Sequence, residues 1–197
     1  MARLQFPATQ RNRVPILEVL RGRVPEGADV LEIGCGSGEH AAFFAENLPI
    51  RSWLPTDLDP AHIASAAAWA VGLPQVRAPV LLDVTVEHWP VGQVDVVFSA
   101  NMIHIAPWQA SVGLLRGAGR ILRPGGLLML YGPFQDDGVH NAPSNDAFDA
   151  DLRRRNPDWG VRDLAVLRRI AGEQGVRGEE EVAMPANNRV VVFRRSL

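Results

Sequence analysis

The sequence predicts a doubly wound α/β domain: a mostly parallel, seven-stranded sheet with helices on both faces and a C-terminal antiparallel hairpin. Three observations predict it. Short apolar runs rich in β-branched residues alternate with longer segments of helical period. Strands spaced in this way need crossover helices, and so pair in parallel in a sheet covered on both faces. The chain then closes with two extended runs joined by a short Pro/Asn turn, which reads as a hairpin at one sheet edge.

In chain order the strands are ADVLEI from Ala28, RSWLPT from Arg51, PVLLDV from Pro79, VDVVFSA from Val94 and GGLLMLYG from Gly125. The helices between them are GEHAAFFAENL from Gly38, PAHIASAAAWAVG from Pro60 and PWQASVGLLRGAGRILR from Pro107. Asp59-Pro60 supplies an N-cap and a first-turn proline to the second of these. The hairpin is GVRGEEEVAMP followed by ANNRVVVFRRSL. One stretch breaks the rhythm, running from Pro133 to Gly160 before a helix that starts at Val161. It holds a short helix from Ser144 as N-cap to Arg155, and a connection of this length reads as a lid over a site, 133–160.

At 197 residues the chain fits one domain, 1–197, with no repeat or linker to divide it. Hydrophobic residues make up 47% and charged residues 21%, the ordinary globular balance. A net charge of −2, with every Lys+Arg position an arginine, provides no basic field for non-specific nucleic-acid binding. The single cysteine, Cys35, excludes an internal disulfide and a multi-cysteine metal site. No apolar stretch reaches the ~18 residues of a membrane span, and the N-terminal residues lack a signal-peptide core, so a cytoplasmic protein without membrane partners is expected.

The strongest chemical signal is VLEIGCGSGEH, from Val30 to His40, which leaves the first strand and opens the first helix. Its glycines permit a sharp turn that brings backbone N–H groups to a ligand at a helix N-terminus. Glu39 stands where a dinucleotide fingerprint needs its third glycine. Glu32, just before the glycines, would repel a pyrophosphate but suits a cationic amino-acid moiety. The plain alternative is a structural turn of any βα unit. Asp57 ends the second strand, 19 residues beyond Gly38, where a carboxylate accepts both hydroxyls of a ribose; as an alternative it caps the next helix with Asp59. Asp83 ends the third strand, placed to accept from an adenine amino group while Val84 packs on the ring, or to serve as a turn aspartate.

Asn101-Met-Ile-His-Ile follows the fourth strand, at the crevice of an open α/β sheet. His104 there is a candidate general base, with a packed structural histidine as the competing reading. Tyr131, the only tyrosine, ends the fifth strand and is a candidate substrate orienter or a core residue. Trp89, Trp108 and Trp159 are candidates for a pocket wall or for core and lid anchors. A P-loop, a nucleophile elbow and tight histidine–carboxylate metal spacing are all missing, so no metal is expected.

Taken together, VLEIGCGSGEH, the strand-end Asp57 and Asp83, and LRPGGLLMLYGPF from Leu122 resemble a class I S-adenosylmethionine-dependent methyltransferase, with its Rossmann-like fold, over roughly residues 25–195. More narrowly, PATQRNRVPILEVL from Pro7, SANMIHIAPW from Ser99, SNDAFDADLR from Ser144, NPDWGVRDL from Asn156 and MPANN from Met184 resemble the methyltransferase-like twenty-six family. The resemblance implies S-adenosylmethionine as cofactor, with S-adenosylhomocysteine as product. It implies that Glu32, Gly34, Gly36 and Gly38 hold the methionine end, Asp57 with Leu58 the ribose, and Asp83 with Val84 the adenine. Asn101 would lie beneath the sulfonium, and Arg11 and Asn12 would fold over the cofactor. Asn101-Met-Ile-His stands where base-directed enzymes carry Asn/Asp-Pro-Pro-Tyr/Trp, which argues against nucleic acid as acceptor. The expected function is in-line methyl transfer to a small-molecule acceptor, with His104 as base and Tyr131 as orienter. The alternatives are a non-catalytic cofactor-binding module in a partner complex and a nucleotide-dependent oxidoreductase, which Glu39 disfavours. Three arginines on the lid, Arg153 to Arg155, either grip an anionic acceptor or face solvent.

Overall fold

In the computed structural model, which describes residues 2–197, the chain begins with a helix that the sequence reading leaves unassigned. This is α1 (Pro7–Arg21), which starts on a proline, carries Pro15 inside it and buries Ile16, Leu17 and Leu20. The βα alternation follows as expected: β1 (Asp29–Ile33), α2 (Glu39–Asn47), β2 (Ser52–Asp57), α3 (Pro60–Trp69), β3 (Val80–Leu81), β4 (Val94–Ala100), α4 (Trp108–Ile121) and β5 (Leu122–Gly132). Asp59 caps α3 through its side chain, accepting from the Ala61 N–H at 2.7 Å. β5 starts three residues before the expected Gly125, so that Leu122 pairs with Val94.

The segment after β5 carries more regular structure than the one short helix expected. It forms β6 (Phe134–Asp136), β7 (Val139–His140) and α5 (Pro143–Arg155), followed by β8 (Arg162–Asp163). Strands β7, β6 and β8 make a separate three-stranded sheet that the sequence reading does not foresee. Ala142, with no capping side chain, precedes α5 in place of the expected Ser144. α6 (Leu164–Glu173) starts later than the expected Val161, because Asp163 caps it by accepting from the Ala165 and Val166 N–H groups. The chain ends in β9 (Val176–Met184) and β10 (Asn188–Arg195).

The seven-stranded sheet has the order β3-β2-β1-β4-β5-β10-β9, parallel through β5 and antiparallel across β10 and β9, as the sequence predicts. Two buried cores cover its faces. Leu31 and Ile33 of β1 pack with Leu114 of α4 and Leu167 of α6, while Val30 packs with Ile16 of α1 and Phe44 of α2. Side chains alternate along a strand, so Glu32 shares the face of Val30. Parallel strands end together, which gathers the C-terminal ends of β1 to β4 along one rim. Among the described residues, no helix is long and apolar enough to cross a membrane.

Candidate cofactor site

The C-terminal ends of β1 to β4 open into a cavity of about 680 Å³. That size lies within the roughly 300–1,000 Å³ typical of small-ligand sites. Its floor is the glycine turn after β1, where Gly34, Cys35 and Gly36 face the cavity. Gly34 has φ +71°, and a Cβ on it would lie 2.6 Å from Met102, so only glycine lets the turn after β4 close over it. The turn is tied down on both sides. Cys35 N–H donates to Thr56 O at 2.9 Å, and Ser65 Oγ of α3 donates to Ser37 O at 2.6 Å. Burial pushes the Cys35 thiol up, away from reactivity.

Asp57 enters the cavity from the end of β2. Its Oδ2 accepts from the Gly36 N–H at 2.9 Å and its Oδ1 from the Asp59 N–H at 3.0 Å. His62 of α3 stands beside it, with Nδ1 3.1 Å from Oδ1. A carboxylate offers about four acceptor positions, so room remains for further donors. Asp83 lies after β3, its Oδ1 holding Thr85 through N–H at 2.8 Å and Oγ1 at 2.7 Å. Leu58, Val84 and Asn101 complete the wall among the expected residues. Asn101 adopts a left-handed backbone, φ 61°, with its N–H on Tyr131 O at 2.8 Å, so the chain turns back at the end of β4.

Of the roof, the sequence reading anticipates Asn12, with Arg11, and misses Phe6 and Thr9. Phe6, Thr9 and Asn12, at the start of α1, line the cavity. The strap before them is pinned to α3: Leu4 N–H donates to Ser65 Oγ at 2.8 Å and Trp69 Nε1 to Leu4 O at 3.0 Å. The signal was the matching PATQRNR stretch, from which the resemblance implies Arg11 and Asn12 over the cofactor. Asn12 Oδ1 meets His40 Nε2 at 2.8 Å, holding the helix to α2, whereas Arg11 is exposed and not part of the wall. Of the three tryptophans, only Trp159 reaches the cavity. Trp89 is core beside α4, and Trp108 packs under the Arg162 guanidinium, 5.6 Å from its centroid.

Four expected site residues stand elsewhere. His104 is fully enclosed behind the wall, edge-on to Phe134 at 5.2 Å, with neither ring nitrogen hydrogen-bonded. Burial, reinforced by the Arg162 guanidinium, lowers it to about 3, so it stays neutral. Tyr131 is buried on the α1 face with its hydroxyl among the Asn12 and Asn188 side chains, and burial raises its pKa. Glu32 lies beneath the turn, accepting from Trp53 Nε1 at 2.8 Å, and burial pushes its carboxyl up to about 8. His40, 4.0 Å from that carboxyl, forms the wall in its place. Gly38 is buried against α3; its φ is +84°, and a Cβ there would lie 2.3 Å from the Ala66 backbone. The residue shapes the turn and does not line the cavity. The physical reason is common to Glu32 and Tyr131: they project from the face covered by α1 and α2, behind the rim. Among the described residues, no group of three or more His, Cys, Asp or Glu could hold a metal ion.

Arg153 and Arg154 bond along their own helix, to Asp149 at 3.0 Å and Asp151 at 2.7 Å, and Arg155 lies over the Trp159 ring at 5.2 Å. Arg162 donates to three carbonyls, those of Ile103 at 2.8 Å, Ala106 at 2.6 Å and Asp158 at 3.1 Å. It thereby joins the turn after β4 to the Trp159 segment.

A family described as a protein of unknown function, DUF938, matches residues 3–195. The chain belongs to the DUF938 family. It is also similar to the ribosomal protein L11 methyltransferase of Pseudomonas putida, 36% identical over 124 residues, which is 62% of this chain and 39% of that protein. The chain thus spans about two-fifths of the length of the curated relatives it matches. Among solved structures, the mitomycin 7-O-methyltransferase MmcR shares its fold with a TM-score of 0.80 at 18% identity, over 96% of this chain and 54% of that one. The methyltransferase SibL does so with a TM-score of 0.78 at 23% identity, over 96% and 56%. The fold of this DUF938 chain is the Rossmann-like fold of the S-adenosylmethionine-dependent methyltransferases.

Proposed function

We propose that this DUF938 chain is an S-adenosylmethionine-dependent methyltransferase of the methyltransferase-like twenty-six kind, acting on a small-molecule acceptor in the cytoplasm. Its working unit is one domain, 1–197, of which residue 1 lies outside the described residues. The observation that carries the proposal is Asp57, a strand-end carboxylate inside the cavity and bonded to the glycine turn through the Gly36 N–H.

The donor set fits the cofactor. Gly34 and Gly36 leave a bare cradle: a Cβ on Gly36 would come 3.0 Å from the Phe6 ring, filling the space between turn and roof. Asp57 keeps acceptor capacity for two ribose hydroxyls, Leu58 flanks it, and Asp83 keeps Oδ2 for an amino group with Val84 beside the ring. His40 and Asn12 supply polar atoms near the turn, and Asn101 closes the side nearest β4. Glu32 acts from behind, setting His40, and Gly38 sets the turn.

When bound, the sulfonium supplies an already activated methyl group. What remains for the protein is alignment and exclusion of water. The roof of Phe6, Thr9 and Asn12 and the wall of Met102, Ile105, Ala106 and Pro107 do this. With S-adenosylmethionine held by the glycine turn, Asp57 and Asp83, its activated methyl carbon would be available to an acceptor's lone pair, the carbon–sulfur pair leaving with the neutral thioether and any acceptor proton passing to water at the mouth of the cavity. His104 and Tyr131 take no part in that proton's path, because both are buried outside the cavity.

The test is calorimetric titration with S-adenosylmethionine, S-adenosylhomocysteine and NADH, on the wild type and on Asp57→Ala. Both sulfur ligands should bind and NADH should not. The variant should lose on the order of 10²-fold or more in affinity, as expected for two hydrogen bonds to a charged acceptor. A thermal scan checks that it remains folded. NADH binding without S-adenosylmethionine binding would refute the proposal.

A further inference from the structure

The cavity carries an unusual charge pattern for a site that must hold a second molecule beside a cofactor. Among the described residues, Asp57 and Asp83 are its only acidic lining residues, and no arginine lines it. Both aspartates already hold backbone donors, and the cofactor reading assigns their remaining oxygens. Of its two histidines, His40 is held neutral, lowered to about 3 by burial and by the neighbouring Arg13, and His62 rests on Asp57. The rest of the wall is apolar except for the uncharged Thr9, Asn12, Thr85 and Asn101 and the Cys35 thiol; Asn101 and Met102 directly follow β4, and Trp159 adds an aromatic face. Ile105 and Leu58, 47% and 66% exposed, stand on it as uncovered apolar side chains.

Of the nearby arginines, Arg155 lies outside the lining, over the Trp159 ring at 5.2 Å, and the others are engaged elsewhere. Arg13 pairs with Glu39 at 2.6 Å, Arg153 and Arg154 with aspartates of α5, and Arg162 with three carbonyls. An anionic group entering the cavity would therefore lose water without gaining a counter-charge and would face two carboxylates.

Resting on the methyltransferase reading, we propose that the acceptor is a predominantly apolar small molecule without an anionic group, bound against Trp159 and Met102, and that carboxylated or phosphorylated acceptors are rejected. This excludes the role of anion grip for Arg153 and Arg154, which are paired with Asp149 and Asp151.

The experiment uses the whole chain saturated with S-adenosylhomocysteine. Indole and indole-3-carboxylate are titrated by ligand-observed NMR. Indole should bind, and indole-3-carboxylate should bind at least about tenfold more weakly. Trp159→Ala should weaken indole binding while S-adenosylhomocysteine affinity is retained. Ile105→Arg, a change at an exposed position, should raise the affinity for indole-3-carboxylate above that of the wild type. Equal or tighter wild-type binding of the carboxylate, or no indole binding, would overturn the proposal with the methyltransferase reading intact. Failure of S-adenosylhomocysteine itself to bind would remove both.

Discussion

Replacing His104 by leucine should make the protein more resistant to acid and leave cofactor binding untouched. The imidazole is wholly enclosed, its two nitrogens have no partners, and burial beside the Arg162 guanidinium lowers it from 6.5 to about 3. Folding therefore forbids a proton that the unfolded chain accepts below pH 6.5. The sign follows: stability tied to this group is complete above 6.5 and drains as the pH falls toward 3. Between pH 7 and pH 5 the loss from His104 alone is about 2 kcal/mol, taking the unfolded pKa as 6.5. Leucine cannot take up the proton and fills similar space, and at pH 7 it removes two unsatisfied nitrogens at little cost. His40 titrates in the same window in both proteins, so the difference between them isolates His104. Urea unfolding of both at pH 7 and pH 5, with S-adenosylhomocysteine titrated at pH 7, makes the measurement. Equal losses of stability in the two proteins would refute the burial argument. Loss of ligand affinity in a folded variant would refute the placement of His104 outside the site.

Two further changes test the turn and what lies under it. Glu32, raised from 4.5 to about 8 by burial, keeps a proton that the unfolded chain gives up, so the wild type loses stability as pH rises between those values. Glu32→Gln should gain on it by about 1 kcal/mol per pH unit, read as diverging urea midpoints from pH 5.5 to 7.5; parallel midpoints would show a charged carboxylate. Gly38→Ala forces a left-handed backbone on alanine and a Cβ into the Ala66 backbone at 2.3 Å. It should cost about 2–4 kcal/mol and lower the thermal midpoint by roughly 5–10 °C, and an unchanged midpoint would mean that α3 does not rest on the turn.

Much of this protein is local in the sequence. The strand and helix alternation, the caps at Asp59 and the closing hairpin are written in short-range periodicity and turn chemistry, which act over a few residues. The same holds for the glycine turn and for Asp57 and Asp83: a strand end is recognisable from its own residues, and parallel strands deliver such ends to one rim. Only the tertiary structure decided which face each remaining side chain took. Both faces of a parallel sheet are covered by helices, so apolar periodicity cannot distinguish the side of α1 and α2 from that of α4 and α6. That choice sent Glu32 and Tyr131 behind the rim. Folding of the segment after β5 against the turn after β4, through Arg162 and the Gly160 N–H on His104 O, sealed His104 in the interior. The cavity roof is likewise non-local, since Phe6 and Asn12 reach the site only because α1 packs on α2 and its strap crosses α3.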